Sequence, residues 1–264
     1  MVLFLHGWAL SPASYRQALE QVAERGARVV APALPGFGGS DELPAAETTL
    51  EGYARWVARF LEMRDESMPV TVVGHSFGGG VAVRLAHDAP QAVARLVLVN
   101  SIGGAVWAAG PDGPRLMAER PWWDWGLHLR ADLDPGRAPG RVLPVIVSDA
   151  ATNALRNPLA VWKVAEIART ADLRAELEEL RRRGLPVVVL WGRQDRVIPQ
   201  ASLAALRLAL GDVDVRTVEG SHSWLMTDPS AFTEILTNVL ARGPLIDGPI
   251  PDGEPPTADD TVPS

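Results

Sequence analysis

Three residues of this chain have the types, and stand in the order, of a nucleophile and its proton-transfer partners: Ser76, Asp195 and His222. Ser76 is the centre of Gly74-His75-Ser76-Phe77-Gly78, which follows the run Val70-Thr71-Val72-Val73 and precedes the helical pattern Val81-Ala82-Val83-Arg84-Leu85-Ala86. A serine between glycines at a strand-to-helix turn sits on a tight crest, with its hydroxyl exposed and a helix N-terminus beneath it. Glycine is required there because turn and helix backbones nearly touch. A serine hydroxyl needs a base to take its proton and an acid to hold that base. Asp195 follows the apolar run 187–190 through Trp191-Gly192, and His222 follows the run 213–218 through Gly220-Ser221.

Singly, each has an ordinary reading: Ser76 as a helix cap, Asp195 as a turn residue, His222 as a loop residue ahead of the helix near Asp228. Together, in this order and each just past a strand, they would require three coincidences. The end of the run 95–99 is the competing place for an acid, but it carries Asn100 and Ser101, so Asp195 remains the candidate. Attack on a carbonyl also needs backbone donors for the developing oxyanion. The amide of Phe77 supplies one, and the loop His6-Gly7-Trp8 supplies the other through Trp8. His6 reads as a structural hydrogen-bonder, and His75 as a residue that orients or packs beside the serine turn.

Other chemistries lack their residues. With no cysteine there is no disulfide, thiol catalysis or thiolate metal site. Pro35-Gly36-Phe37-Gly38-Gly39-Ser40 fails the dinucleotide spacing, because Asp41 stands where the third glycine belongs. No Gly-Lys-Ser/Thr is present, and His87 and His128 belong to no ligand cluster, so neither a cofactor nor a metal is expected.

The elements that must position these residues alternate. Strands are expected at 2–5, 28–31, 70–73, 95–99, 187–190 and 213–218, with helices near 12–25, 48–66, 78–88, 200–210 and 229–241. That rhythm predicts an α/β fold with a doubly wound, mostly parallel sheet of about six strands. Residues 102–184 interrupt it: no convincing strand, helical stretches at 153–169 and 172–183, and Trp107, Trp122, Trp123, Trp125 and Trp162. We read this interval as a helical cap over a core of 1–101 and 185–242. Trp8, Phe77, Trp122, Trp123, Trp125 and Trp224 are the candidate substrate contacts, and Trp56 is core.

The formal charge of −7 is concentrated at the end of the chain, where Asp247, Asp252, Glu254, Asp259 and Asp260 accompany six prolines. Residues 243–264 are therefore expected to be a disordered tail. The remainder is nearly neutral, without a basic patch for nucleic acid. No apolar run is long enough to span a membrane. Met1-Val2-Leu3-Phe4-Leu5 lacks the basic start and cleavage site of a signal peptide, so a cytoplasmic location is expected.

With these motifs in place, the chain resembles the α/β-hydrolase superfamily, in its small esterase and cofactor-free haloperoxidase-like branch. The matching residues are His6-Gly7-Trp8, Pro35-Gly36-Phe37-Gly38, Gly74-His75-Ser76-Phe77-Gly78-Gly79, Trp191-Gly192 with Asp195, and His222 with Pro229. Pimeloyl-acyl-carrier methyl ester esterases are similar in the His-Gly-Trp and serine-turn motifs. The resemblance implies a serine hydrolase of small or medium apolar esters. Thioester hydrolysis, acyl transfer, carbon–carbon bond hydrolysis and perhydrolysis stay open on the same residues, as does a non-catalytic binding protein. Relatives usually carry one or two strands before the His-Gly strand, so here strand 28–31 becomes an apolar edge, open to self-association or covered by residues upstream of Met1. Ser221 stands where many relatives have glycine.

Overall fold

The structure is a computed structural model and describes residues 1–64, 68–110, 113–132 and 143–242. Six parallel strands form its central sheet: β1 (Val2–Leu5), β2 (Val29–Val30), β3 (Val70–His75), β4 (Val93–Val99), β7 (Val187–Gly192) and β8 (Asp214–Val218), in the order β2-β1-β3-β4-β7-β8. The alternation of side chains across a strand divides the core into two layers. Val2 and Phe4 of β1 point to one face, with Val73, Val97, Val99 and Leu190, where α1 (Arg16–Glu24) and α10 (Pro229–Ala241) cover them with Leu19, Val22, Phe232 and Leu236. Leu3 and Leu5 point to the other, with Val72, Leu96, Leu98 and Trp191, beneath α2 (Leu50–Met63), α3 (Phe77–Asp88), α7 (Arg174–Arg182) and α8 (Gln200–Leu210). A parallel sheet buried on both faces accounts for the β-branched runs in the sequence.

The chain builds outward from β1 to β2, then returns to β3 and continues toward β8. The switch point lies between β1 and β3, the place where open α/β sheets leave a crevice at the carboxyl ends of their strands. His6-Gly7-Trp8 and Ser76 leave the sheet at those two ends. At the outer edge, β2 has only two residues, paired to β1 in the register Val2↔Val29 and Leu3↔Val30, and its other side is open.

Between β4 and β7 the chain inserts the cap. It contains the helices α4 (Trp122–Asp132), α5 (Leu143–Arg156) and α6 (Pro158–Thr170), and also an antiparallel hairpin of β5 (Val106–Gly110) and β6 (Gly113–Leu116), before α7 returns to the face of the sheet. The hairpin corrects the expectation of an interval without strands. Gly110-Pro111-Asp112-Gly113 is its signal in the sequence, a turn-forming cluster between two short segments. At its root Gly104 lies against α8 so closely that a Cβ would stand 2.2 Å from the carbonyl oxygen of Ser202. The helix expected over 153–169 is broken at Asn157-Pro158, because proline at the first position of α6 cannot continue α5. Helix α9 (Trp224–Thr227) fills the step from β8 to α10. The expected tail, 243–264, lies outside the described residues. Among the described residues no helix is long and apolar enough to cross a membrane.

Candidate active site

Ser76 follows β3 and caps α3 with φ 52° and ψ −117°, a positive-φ conformation that non-glycine residues rarely adopt. Its N–H donates to Val99 at 3.0 Å, and its carbonyl accepts from Gly79 at 3.0 Å and Ile102 at 3.3 Å. Close approach does the rest. A Cβ on Gly78 would stand 2.2 Å from the carbonyl oxygen of Leu5, and one on Gly74 would stand 2.6 Å from the Cα of Gly79. The turn can therefore sit against β1 and α3 only with glycine at those positions.

Asp195 and His222 are brought together from the ends of β7 and β8. His222 Nδ1 donates to Asp195 Oδ2 at 2.8 Å, with both residues buried. Asp195 Oδ1 accepts from the amides of Val197 at 2.8 Å and Ile198 at 2.9 Å. A fourth donor comes from Asn100, whose Nδ2 bonds Asp195 Oδ2. Its amide cannot turn round, because Oδ1 accepts from Trp224 Nε1 at 2.7 Å and from the amide of Gly192 at 3.3 Å. Asn100 is fully buried, in the left-handed region at φ 44°, which asparagine tolerates better than most residues. In the sequence it counted only as a missing carboxylate. The structure makes it the residue that holds the carboxylate next door. A terminal asparagine on an apolar strand beside a candidate acid is the signal that could have found it.

Two more histidines organise the other side. His75 Nε2 donates to the carbonyl of His222 at 3.0 Å. Its Nδ1 accepts from Tyr15 Oη at 2.8 Å, and that hydroxyl accepts from the amide of Gly7 at 3.0 Å. The residue beside Ser76 thus joins the loop after β1 to the loop after β8. His6 Nε2 accepts from the amide of Leu34 at 2.8 Å, so its proton is on Nδ1, which donates to the carbonyl of Gly7 at 2.9 Å. In a trans peptide the C=O and N–H point opposite ways. By holding the Gly7 oxygen, His6 aims the Trp8 N–H away from it. Burial drives His6 down to about 4, and burial with the neighbouring charge of His222 holds His75 well below the usual histidine range.

The tryptophans divide. Trp8 is half-buried, stacks on Trp125 with centroids 5.6 Å apart, and donates Nε1 to the carbonyl of Val161 on α6 at 2.7 Å. Trp122 leans on Trp125 and stacks on Trp162 at 4.7 Å. Three other expected contacts are placed elsewhere. The Phe77 ring is fully buried, edge-on to Tyr53 at 5.1 Å. Trp224 is buried behind the acid, tied to Asn100 and packed on Phe232. Trp123 is 68% exposed. The helix periodicity of Trp122-Trp123-Trp125 decides this, since adjacent positions cannot share a face.

Ser76 is 7% exposed, with the cap closed down on Trp8. A cleft of about 810 Å³ opens on the far side of the acid, lined by Trp107, Arg120, His128, Asp195 and Arg196 but by neither Ser76 nor His222. The loop Pro35–Ser40 serves the cap. Gly36 has φ 85°, and a Cβ there would stand 2.9 Å from that of Ala160 on α6. Among the described residues no group of acidic or histidine side chains could hold a metal ion.

A parallel sheet with a cap inserted after β4, and a buried His–Asp pair at the ends of its last two strands, define an α/β-hydrolase architecture with a dyad consistent with a catalytic triad. The model of the alpha/beta hydrolase family matches residues 2–235, and the chain belongs to that family. It is 30% identical over 262 residues to the pimeloyl-[acyl-carrier protein] methyl ester esterase of Aromatoleum aromaticum, covering 90% of this chain and 97% of that one. Its fold is shared with a bromoperoxidase from Bacillus anthracis (TM-score 0.74, 21% identity, 91% of each chain). It is also shared with an esterase from Exiguobacterium antarcticum (TM-score 0.74, 20% identity, 91% of each chain).

Two outcomes follow from this geometry. Asn100→Ala strands the Trp224 N–H and one lone pair of Asp195 in the core, and urea denaturation is expected to show a loss of about 1–3 kcal/mol. His6 and His75 bind protons more readily unfolded than folded, so the unfolded chain gains protons as pH falls from about 6.5 toward 4. Stability is complete above that window and falls within it by up to about 1.4 kcal/mol per pH unit for each histidine. The melting temperature is expected to drop steadily on acidification, and less steeply in His6→Asn.

Proposed function

We propose that this protein is a serine hydrolase of small or medium apolar carboxylic esters, acting through an acyl-enzyme. One observation carries this reading: the His222–Asp195 pair is linked through His75 to the strained turn that bears Ser76. With Nδ1–H committed to Asp195, Nε2 is the basic nitrogen of His222. It takes the proton as Ser76 Oγ attacks the ester carbonyl, and Asp195 stabilises the imidazolium that forms. The amides of Phe77, at the start of α3, and Trp8, aimed by His6, receive the oxyanion. The protonated imidazole then gives its proton to the leaving alkoxide. His222 next activates a water against the acyl-enzyme, releasing the acid and restoring Ser76.

The preference for an apolar ester rests on the stacked surface of Trp8, Trp125 and Trp122, an apolar wall on the cap side of the Trp8 loop. Ester hydrolysis is also the chemistry named for the Aromatoleum aromaticum relative.

Hydrolysis of p-nitrophenyl esters of graded chain length tests the proposal. Ser76→Ala is expected to lower kcat by about a thousandfold or more, and a fluorophosphonate probe should label wild type at Ser76 alone. Equal turnover by wild type and Ser76→Ala would discard the triad. Absence of labelling in folded protein would favour a non-catalytic binder.

A further inference from the structure

Cap helix α5 presents polar side chains at intervals of four residues, and each bonds a loop of the sheet domain. Asp149 accepts from the amide of Ser11 at 2.7 Å and from the hydroxyls of Ser11 and Ser14 at 2.8 and 2.7 Å. Asn153 donates Nδ2 to the carbonyl of Ala9 at 2.9 Å and accepts on Oδ1 from the amide of Gly38 at 2.9 Å. Asn157, just past the helix end, donates to the carbonyl of Gly36 at 2.8 Å. Residues four apart in a helix share a face, so one edge of the cap is fastened to two loops at once.

Of the three, Asn153 has the most consequential partner. Gly7, Trp8, Ala9 and Leu10 form a turn in which the Leu10 amide reaches the Gly7 carbonyl at 3.4 Å. Ala9 occupies the third position with φ 58°, where such turns favour glycine. An alanine in that conformation is strained and persists only if its surroundings hold it. Asn153 does so: it is 2% exposed, and both ends of its amide are engaged. The Trp8 amide lies one residue upstream, in the same turn.

We propose that Asn153 is a positioning residue for the oxyanion loop, so that the loop takes its working shape only while the cap is seated on it. The inference rests on the reading of the Trp8 amide as an oxyanion donor. Without the amide of Asn153, Ala9 can relax toward a negative φ and displace Trp8 at the far side of the Gly7–Trp8 peptide, which His6 then holds only by its Gly7 oxygen. With the cap in place the donor is set before substrate reacts, which is what electrostatic stabilisation of an oxyanion requires.

The experiment compares p-nitrophenyl butyrate kinetics and inhibition by an alkyl trifluoromethyl ketone, whose adduct with serine carries the oxyanion, at a temperature where all variants are folded by circular dichroism. Asn153→Ala is expected to lower kcat by about 10–100-fold, the scale of a small misplacement at a reacting centre, with KM within about threefold. Ketone affinity should fall in parallel. Asn157→Ala, which fastens the cap elsewhere, should keep kcat within about twofold. Ala9→Gly placed in the Asn153→Ala background should restore most of kcat, because glycine holds a positive φ without help; a merely structural role for Asn153 predicts no such rescue. Unchanged kcat and ketone affinity in Asn153→Ala, or a loss that Ala9→Gly does not repair, would overturn the proposal. If Asn153→Ala does not fold, Asn153→Gln, which displaces the same amide by one methylene, is read by the same criteria. If Ser76→Ala is as active as wild type, the hydrolase reading fails first, and that outcome is distinct from a fault in Asn153.

Discussion

A single buried carboxylate organises the carboxyl ends of three neighbouring strands. Asp195 receives two backbone amides from its own loop, the imidazole of His222 from beyond β8, and the amide of Asn100 from the end of β4. A charge placed in a core without such donors would cost several kcal/mol and would tend to take up a proton. With both oxygens engaged by donors, its direction is fixed. The ring of contacts closes through Trp224, two residues past His222, which bonds Asn100. The acid, its holder and the histidine therefore cannot shift independently.

The histidines show how one residue type serves opposite ends in one site. His222 faces a carboxylate, to which its Nδ1 donates. His6 and His75 are fully enclosed, and desolvation, joined at His75 by the neighbouring His222, holds both below the usual histidine range. Neutrality is what makes them useful as fixed donors and acceptors: each ring nitrogen has one partner, so each tautomer is decided. His6 then sets the plane of the Gly7–Trp8 peptide, and His75 connects Tyr15 to the His222 loop.

The cap is attached by polar side chains as well as by apolar packing, in which Trp125, Val164, Ala165 and Ala168 join the buried cluster of Leu34, Phe37 and Phe77. Asp149, Asn153 and Asn157 fasten it to loops after β1 and β2, while Trp8 reaches up to Val161. Directional bonds of this kind fix where the cap sits, whereas apolar contact alone would let it slide. The glycine loop Pro35–Ser40, which fails the dinucleotide spacing, is part of the surface that receives it.

Much of this was legible in the chain, for stated reasons. Apolar runs of fixed length and their alternation with amphipathic helices are local properties, and they determined the six strands and the helices that flank them. The Gly-x-Ser-x-Gly turn and the order of Ser76, Asp195 and His222 are likewise local, because strand ends can be read from composition. The cap hairpin was missed because its strands lack a sustained alternation, and the break at Pro158 because two helices shared one apolar periodicity. Partnership is a different kind of fact. Asn100 with Asp195, His75 with His222 and Asn153 with Ala9 join residues 95, 147 and 144 positions apart. No window along the sequence contains both members of such a pair. The sequence by itself determined which groups could do chemistry and which strands would carry them. Only the tertiary structure decided which tryptophans meet the cap and which lie behind the acid, and which amides hold the site in shape, since burial and hydrogen-bond direction exist only once distant segments have packed.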